Sequence, residues 1–216
     1  MSLNKSYAVF GLGRYGMAVA KELVKNGADV LAVDLDENIV NSAISDIPFC
    51  KSADITDPEV VRHLGIASVD VVIVAMANHL EASVMIIMLC KELGVKTVIA
   101  KCANEMQAKI LLKVGADKVV IPERESGVRL AKNILSSGFV DVMELSDDVS
   151  LIELEIKNEW IGKNLIELNL RKKYGVNVIA IKSGDKVNID LDPSLPLNRD
   201  MKLVVIAHTS KLEKIK

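Results

Sequence analysis

Aromatic residues are scarce in this chain of 216 residues, 3% in all, although 50% of it is hydrophobic. Its apolar content is therefore almost entirely Val, Ile, Leu, Ala and Met, the composition of strands buried on both faces of a parallel sheet. Cysteine is rare as well. Cys50, Cys90 and Cys102 form an odd set without CxxC spacing or a nearby His, so they read as reduced, mostly buried small hydrophobes rather than a metal site. No excess of positive charge is present: Lys and Arg number 27 against 29 Asp and Glu, spread along the chain, which gives a polyanionic nucleic-acid partner nothing to hold. Long hydrophobic runs are missing too. The longest, Val71 to Ala77 and Val84 to Cys90, fall far short of the ~20 residues of a membrane-spanning helix. At the N-terminus, Asn4, Lys5 and Ser6 lead straight into a strand-like run, with no basic region ahead of an apolar signal core. The expectation is a cytoplasmic protein that does not itself cross a bilayer.

What is present is a regular alternation. Short β-branched runs at Tyr7 to Phe10, Asp29 to Asp34, Pro48 to Lys51, Asp70 to Ala75, Thr97 to Lys101 and Lys118 to Ile121 are separated by helical patterns. The helices begin near Arg14, Glu37, Pro58, Leu80, Glu105 and Glu125, and several stop at Gly27, Gly65, Gly94 and Gly115, where a left-handed cap is wanted. This predicts an α/β fold, a Rossmann-like doubly wound parallel sheet of six strands. The regularity ends after Ser136, Ser137 and Gly138, which sets a boundary near residue 140. Residues 141–216 predict a small α+β domain. Its elements are an apolar run from Val140 to Leu145, strands at Leu151 to Ile156, Asn177 to Lys182 and Leu203 to Ala207, a short helix at Leu165 to Leu170, and a hairpin at Ser183-Gly184-Asp185.

One helix departs from the pattern. Between Glu81 and Leu93 apolar residues cover nearly every face, whereas a helix on a sheet normally keeps a polar outer side. Deep burial or a subunit interface would explain it, and the second predicts a homo-oligomer.

Directly after the first strand stands Gly11-Leu12-Gly13-Arg14-Tyr15-Gly16, running into a good helical sequence from Met17 to Lys25. Gly11 permits the tight turn, Gly13 lets a phosphate approach the backbone, and Gly16 allows close helix-to-sheet packing at a helix start that faces an anion. Asp34 ends the second strand 23 positions after Gly11, where a carboxylate accepts ribose hydroxyls and repels a 2′-phosphate. NAD, ATP and ADP are compatible; an NADP-type ligand is disfavoured. Asp36 and Glu37 read instead as acids of a helix first turn. Asp54, after the third strand, is placed to meet adenine, while Thr56 or Asp57 caps the helix that starts at Pro58.

Arg14 within the loop suits phosphate oxygens, with plain surface exposure as the alternative. Lys101 closes the fifth strand and Glu123 the sixth, at the sheet edge where open α/β sheets bind ligands. Lys101 could neutralise phosphate. Glu123 would repel it unless a divalent cation or a neighbouring subunit's arginine intervened, and is otherwise a helix N-terminal acid.

These motifs, with Ala32-Val33-Asp34, Ala53-Asp54, Val74-Ala75-Met76, Gly115-Ala116-Asp117 and Pro122-Glu123, resemble the cytosolic regulatory subunits of Ktr and Trk potassium uptake systems, built of RCK (regulator of conductance of K+) domains. The likeness extends through Asn169-Leu170-Arg171 and the run from Tyr174 to Ile181, and is closest to the Ktr type with one such unit per chain. It implies a regulatory subunit rather than an enzyme, cytoplasmic and peripheral to the inner face of the membrane. It further implies dimers assembled into an octameric ring beneath an integral-membrane K+-translocating subunit. ATP or ADP, sometimes NAD or NADH, would bind the first domain. Gly11, Gly13, Arg14, Tyr15 and Gly16 would handle phosphates, Asp34 the ribose and Asp54 the adenosine. Ala75 and Lys101 belong to the same pocket, and Glu123 would hold Mg²⁺ or another cation near the terminal phosphates. The last helix of the first domain, with Val128, Ala131, Ile134 and Leu135, would cross to the partner. In the second domain Leu165, Ile166, Arg171, Asn177, Val178 and Pro193 match a cyclic di-AMP site, although Val176 stands where a polar residue is sometimes found.

The competing reading is an NAD-dependent dehydrogenase, for which the second domain is short. The chain's three histidines are His63, His79 and His208, of which His79, in a loop after the fourth strand, is the best enzyme candidate, and none has a carboxylate at recognisable spacing. A SAM-dependent methyltransferase is disfavoured by Arg14 and Lys101 beside the glycine loop.

Overall fold

The run Val71–Val74 is wholly buried, as only a strand at the centre of a covered sheet can be, and it sits in a parallel sheet of six strands. The computed structural model describes residues 5–135, 139–146, 148–208 and 210–211. The chain divides into two units, one ending at Glu123 and one beginning at Arg124.

In the first unit the strands are β1 (Ser6–Phe10), β2 (Asp29–Asp34), β3 (Phe49–Ser52), β4 (Val71–Val74), β5 (Thr97–Lys101) and β6 (Lys118–Val120). Helices α1 (Arg14–Lys25), α2 (Glu37–Ala43), α3 (Pro58–His63), α4 (Leu80–Glu92) and α5 (Glu105–Val114) alternate with them. The strand order is β3-β2-β1-β4-β5-β6, so the winding reverses between β1 and β4. Two cores result. Ala20 of α1 and Ala43 of α2 pack with Val9, Ala32 and Ile73 on one face. Val61 of α3, Ile86 and Ile87 of α4 and Leu111 of α5 pack with Phe10, Val72 and Val98 on the other. Each fully buried aliphatic side chain contributes about 1.5–3 kcal/mol, so a sheet covered on both faces needs few aromatics. Cys90 and Cys102 belong to the second core, Cys50 is half-buried, and none of the three is disulfide-bonded. Burial pushes the Cys90 thiol up to about 12.

Helix α4 buries Ser83, Ile86, Ile87, Leu89 and Cys90, so most of its apolar residues belong to the core. Met85 and Met88 nevertheless remain about half exposed, 48% and 49%. Helix α6 (Pro122–Leu135) starts earlier than the sequence suggests, because Pro122 takes the first helical position. Glu123 consequently does not close β6; it stands in the first turn of α6. Val128 and Ile134 on that helix are exposed, at 44% and 71%, as is Ala131, while the side chain of Leu135 lies outside the described residues.

Two carboxylates tie the sheet's ends together. Asp70 accepts the Ser6 N–H at 3.1 Å and pairs with Lys96 at 3.1 Å. Asp117 accepts the Val98 N–H at 2.6 Å and pairs with Lys91 at 2.6 Å. The Ser6 backbone bond, then Lys96, holds Asp70 below the ordinary carboxylate range. For Asp117, burial opposes ionisation, but the bonds from Lys91 and Val98 outweigh it and the net shift is downward. Because both values are depressed on folding, their stabilisation is complete above the unfolded value of about 4 and is lost as pH falls through the lower folded values. Urea midpoints are expected to hold between about pH 7 and pH 5 and to drop below about pH 4, with a shallower drop in Asp117→Ala. An identical acid drop in that variant would remove Asp117 from the explanation.

The second unit carries an antiparallel sheet of order β10-β9-β11-β8-β7. Its strands are β7 (Phe139–Glu144), β8 (Val149–Glu155), β9 (Val176–Ser183), β10 (Lys186–Asn188) and β11 (Met201–His208). Helices α7 (Leu165–Leu168) and α8 (Leu170–Tyr174) are separated by Asn169 in the left-handed region, φ 45°. Ile152, Leu154, Leu203 and Val205 alternate inward against Leu168, Leu170 and Trp160. On β8, Glu153 pairs with Lys202 of the adjacent β11 at 3.0 Å and with Lys182 of β9, one strand further on, at 2.9 Å.

Candidate functional site

The turn after β1 is held by its own backbone and by one carboxylate. The Gly11 N–H donates to Val33 O at 2.9 Å, and the Leu12 N–H donates to Asp34 Oδ2 at 2.6 Å. Gly11 has φ +88°, and a Cβ there would stand 2.7 Å from Met76 Cγ. At Gly16 a Cβ would stand 1.9 Å from the Gly11 carbonyl oxygen and 3.1 Å from Ala75 Cβ. Helix α1 can therefore meet the sheet at this point only through glycine. Gly13 differs: it is exposed, and a Cβ would meet nothing within 4 Å, so its backbone borders open space.

Gly13 is also the N-cap of α1, without a side-chain cap and without an acid in the first turn. Helices α2, α3 and α5 are capped by Asp36, Asp57 and Asn104. The start of α1 carries instead the exposed cation Arg14, against the preference of the helix dipole. An external anion would satisfy both the helix start and the guanidinium.

The remaining sequence-selected residues gather at the same carboxyl edge of the sheet. Asp34 is half-buried and its second oxygen accepts the Asp36 N–H at 3.0 Å, so one carboxylate braces the glycine loop and the turn after β2. Asp36 is the N-cap of α2, accepting the Asn38 N–H at 2.8 Å, rather than an acid of its first turn, where Glu37 stands as read from the sequence. Ala53 N–H donates to Asp34 O at 3.0 Å and brings exposed Asp54 to the rim. There Asp54 accepts the Thr56 hydroxyl at 2.6 Å and the Thr56 N–H at 2.9 Å, and these bonds hold its carboxyl below the usual range. That local turn gives Asp54 a structural task the sequence does not reveal. Ala75 N–H donates to Phe10 O at 2.7 Å, placing Ala75 beside the loop where the strand order reverses.

Lys101 extends from the end of β5 to Glu123 Oε1 at 2.8 Å, with its ammonium 5.7 Å from the centre of the half-buried Tyr15 ring. The Lys101 hydrogen bond, then the Glu123 backbone bond and the charges of Lys101 and Arg14, lower the Glu123 carboxyl. The sequence places both groups at one edge but not in contact, because their approach depends on the first turn of α6. No cluster of three or more His, Cys, Asp or Glu that could hold a metal occurs among the described residues. A cation here would have Glu123 as protein ligand and would take its other ligands from phosphate and water, a common arrangement for Mg²⁺.

The three histidines lie on different elements. His63 Nδ1 lies 2.6 Å from Glu59 O of its own helix, and His79 is the N-cap residue of α4. His208 has a carboxylate that the spacing does not announce, Asp148 at 3.7 Å, with both side chains exposed.

In the second unit a cavity of about 240 Å³ is lined by Leu165, Arg171, Asn177 and Val178 together with Asn169, Leu170 and Val176. Four of the six sequence-selected residues thus share one cavity. Ile166 and Pro193 do not line it but are joined to each other, Ile166 N–H to Pro193 O at 3.4 Å. Asn169 was missed as a lining residue; its signal is the left-handed kink that separates α7 from α8.

Among known proteins, residues 7–122 match the TrkA-N domain and residues 149–216 the TrkA-C domain. The Ktr system potassium uptake protein C of Bacillus subtilis (strain 168) is 36% identical over 212 residues, 98% of this chain and 96% of that protein. The Ktr system potassium uptake protein A of Vibrio alginolyticus is 34% identical over 209 residues, 97% of this chain and 95% of that protein. A GsuK channel bound to NAD shares the fold, with a TM-score of 0.65 at 16% identity, covering 98% of this chain and 38% of that one. No described helix is long and apolar enough to cross a membrane. The chain belongs to the Ktr-type potassium uptake proteins, with a TrkA-N domain followed by a TrkA-C domain.

Proposed function

We propose that this chain is a cytosolic regulatory subunit of a K+ uptake system, controlled by an adenine nucleotide at the glycine loop and working with an integral-membrane K+-translocating subunit. The observation that carries the ligand reading is the uncapped start of α1, with exposed Gly13 and Arg14 and with the Asp34 carboxylate bonded to the Leu12 N–H of the same turn. ATP or ADP is the preferred ligand, with NAD or NADH as the alternative. Gly11, Gly13, Arg14, Tyr15, Gly16 and Lys101 serve the phosphates, Asp34 the ribose, and Asp54 and Ala75 the adenosine. Mg²⁺ or another cation at Glu123 would bridge to the terminal phosphates. Cyclic di-AMP is proposed for the second unit, because Arg171 and Asn177 offer phosphate and base contacts beside the aliphatic Leu165 and Val178.

The role is regulatory rather than catalytic: the groups gathered at the glycine loop serve to bind phosphates, and the relatives belong to Ktr potassium uptake systems. The chain acts as a homo-oligomer, dimers built into an octameric ring at the inner face of the membrane. Support for this comes from the exposed Met85 and Met88 of α4 and Val128 and Ile134 of α6, apolar residues on two helix surfaces. In such an assembly a nucleotide gates only by binding one ring shape better than another.

Calorimetric titration of the purified chain with adenosine, ATP, ADP, NAD, NADH and cyclic di-AMP tests the ligand reading. Asp34→Ala is expected to weaken all adenosine ligands together by about tenfold, the ribose contact being common to them, while leaving cyclic di-AMP unchanged. Turnover of any of these nucleotides, or unaltered affinities in Asp34→Ala, would contradict it.

A further inference from the structure

The Lys101–Glu123 pair is unequal. Lys101 is 16% exposed and held against the Tyr15 ring, whereas Glu123 is 68% exposed and reaches Lys101 from the first turn of α6. Leaving a largely buried ammonium unpaired is costly; releasing an exposed carboxylate into water is not. The anion of this pair can leave and the cation cannot. Glu123 also lies in the field of Arg14, so one carboxylate faces both cations that border the glycine loop.

From this juxtaposition we propose that Glu123 is a built-in competitor for the nucleotide's phosphates. Without a polyphosphate its carboxylate neutralises Lys101; a polyphosphate entering the loop takes Lys101 over and releases Glu123, which is then available to the cation proposed for it above. The inference rests on the nucleotide reading above and adds a selection rule. A nucleoside without phosphate leaves the pair intact, while ligands with more phosphate charge displace Glu123 more completely, since multiply charged phosphate outbids one carboxylate for an ammonium.

The test is calorimetry on the full chain in EDTA, which separates competition from any cation held by Glu123. Glu123→Gln is expected to tighten ATP and ADP by roughly three- to fivefold and to leave adenosine unchanged, the range set by a partly exposed ion pair. In a Lys101→Gln background the same substitution should gain much less. An equal gain in both backgrounds would show general charge repulsion and overturn the competition, as would no gain or a loss of ATP affinity in Glu123→Gln. Absence of adenosine and ATP binding by the unaltered chain would instead refute the nucleotide reading, and the competition with it.

Discussion

Gly16→Ala is expected to destabilise the first unit by about 3 kcal/mol and to abolish nucleotide binding. The added methyl would lie 1.9 Å from the Gly11 carbonyl oxygen, and that oxygen cannot retreat easily. Gly11 is tied to Val33 O, has a left-handed φ of +88°, and backs onto Met76 and Ala75. Relief requires α1 to move off the sheet, which breaks the phosphate turn and the contact between Ala20 and Val9 in one step. Gly13→Ala provides the contrast. Its φ of −61° is ordinary and a Cβ meets nothing within 4 Å, so stability should change by no more than about 0.5 kcal/mol. The methyl would nevertheless occupy the space through which, in the proposed site, a phosphate reaches the backbone, and ATP affinity should fall while the urea midpoint stays. Chemical denaturation and titration of the two variants separate fold from site. A Gly16→Ala protein of unchanged midpoint would contradict the packing argument.

Arg14→Ala is expected to weaken ATP by about ten- to a hundredfold, ADP less, and adenosine hardly at all, the range for losing a charge-assisted bond of roughly 1.5–3 kcal/mol. The prediction follows from cost as much as from reach. A cation on the first residue of an uncapped helix opposes the dipole, which offsets what Arg14 gains from the nearby exposed Glu123 carboxylate. Its removal should leave stability unchanged or slightly raised, a combination that identifies a binding group. Equal losses for adenosine and ATP would show that Arg14 does not serve phosphate.

Much of the first unit was legible because its signals are local. Asp29–Asp34 and Thr97–Lys101 are strands with the expected ends, since apolar runs bounded by turn and helix signals leave little alternative. The glycine loop was legible for the same reason: strand, GxGxxG and helix are contiguous. What escaped depends on side chains that meet across the fold. Asp34 bracing Leu12, and Lys101 caught between Tyr15 and Glu123, cannot be inferred from spacing. Asp54 itself was singled out, but its turn with Thr56 escaped because it is short and polar, with no periodicity to mark it. In the second unit the predicted hairpin at Ser183-Gly184-Asp185 joins β9 to β10, but the extent of its second arm was not legible, because Lys186–Asn188 is exposed throughout and shows no alternation. One predicted helix proved to be two because Asn169 adopts a conformation that asparagine tolerates and most residues avoid.

Tight binding alone would regulate nothing; regulation requires that two nucleotides favour different shapes of the assembly. Small-angle X-ray scattering from the full chain, saturated in turn with ATP and with ADP, measures this directly. Different curves are expected, with Arg14→Ala bringing the ATP curve towards the ADP one. Superimposable curves from two fully bound complexes would contradict nucleotide control of this subunit.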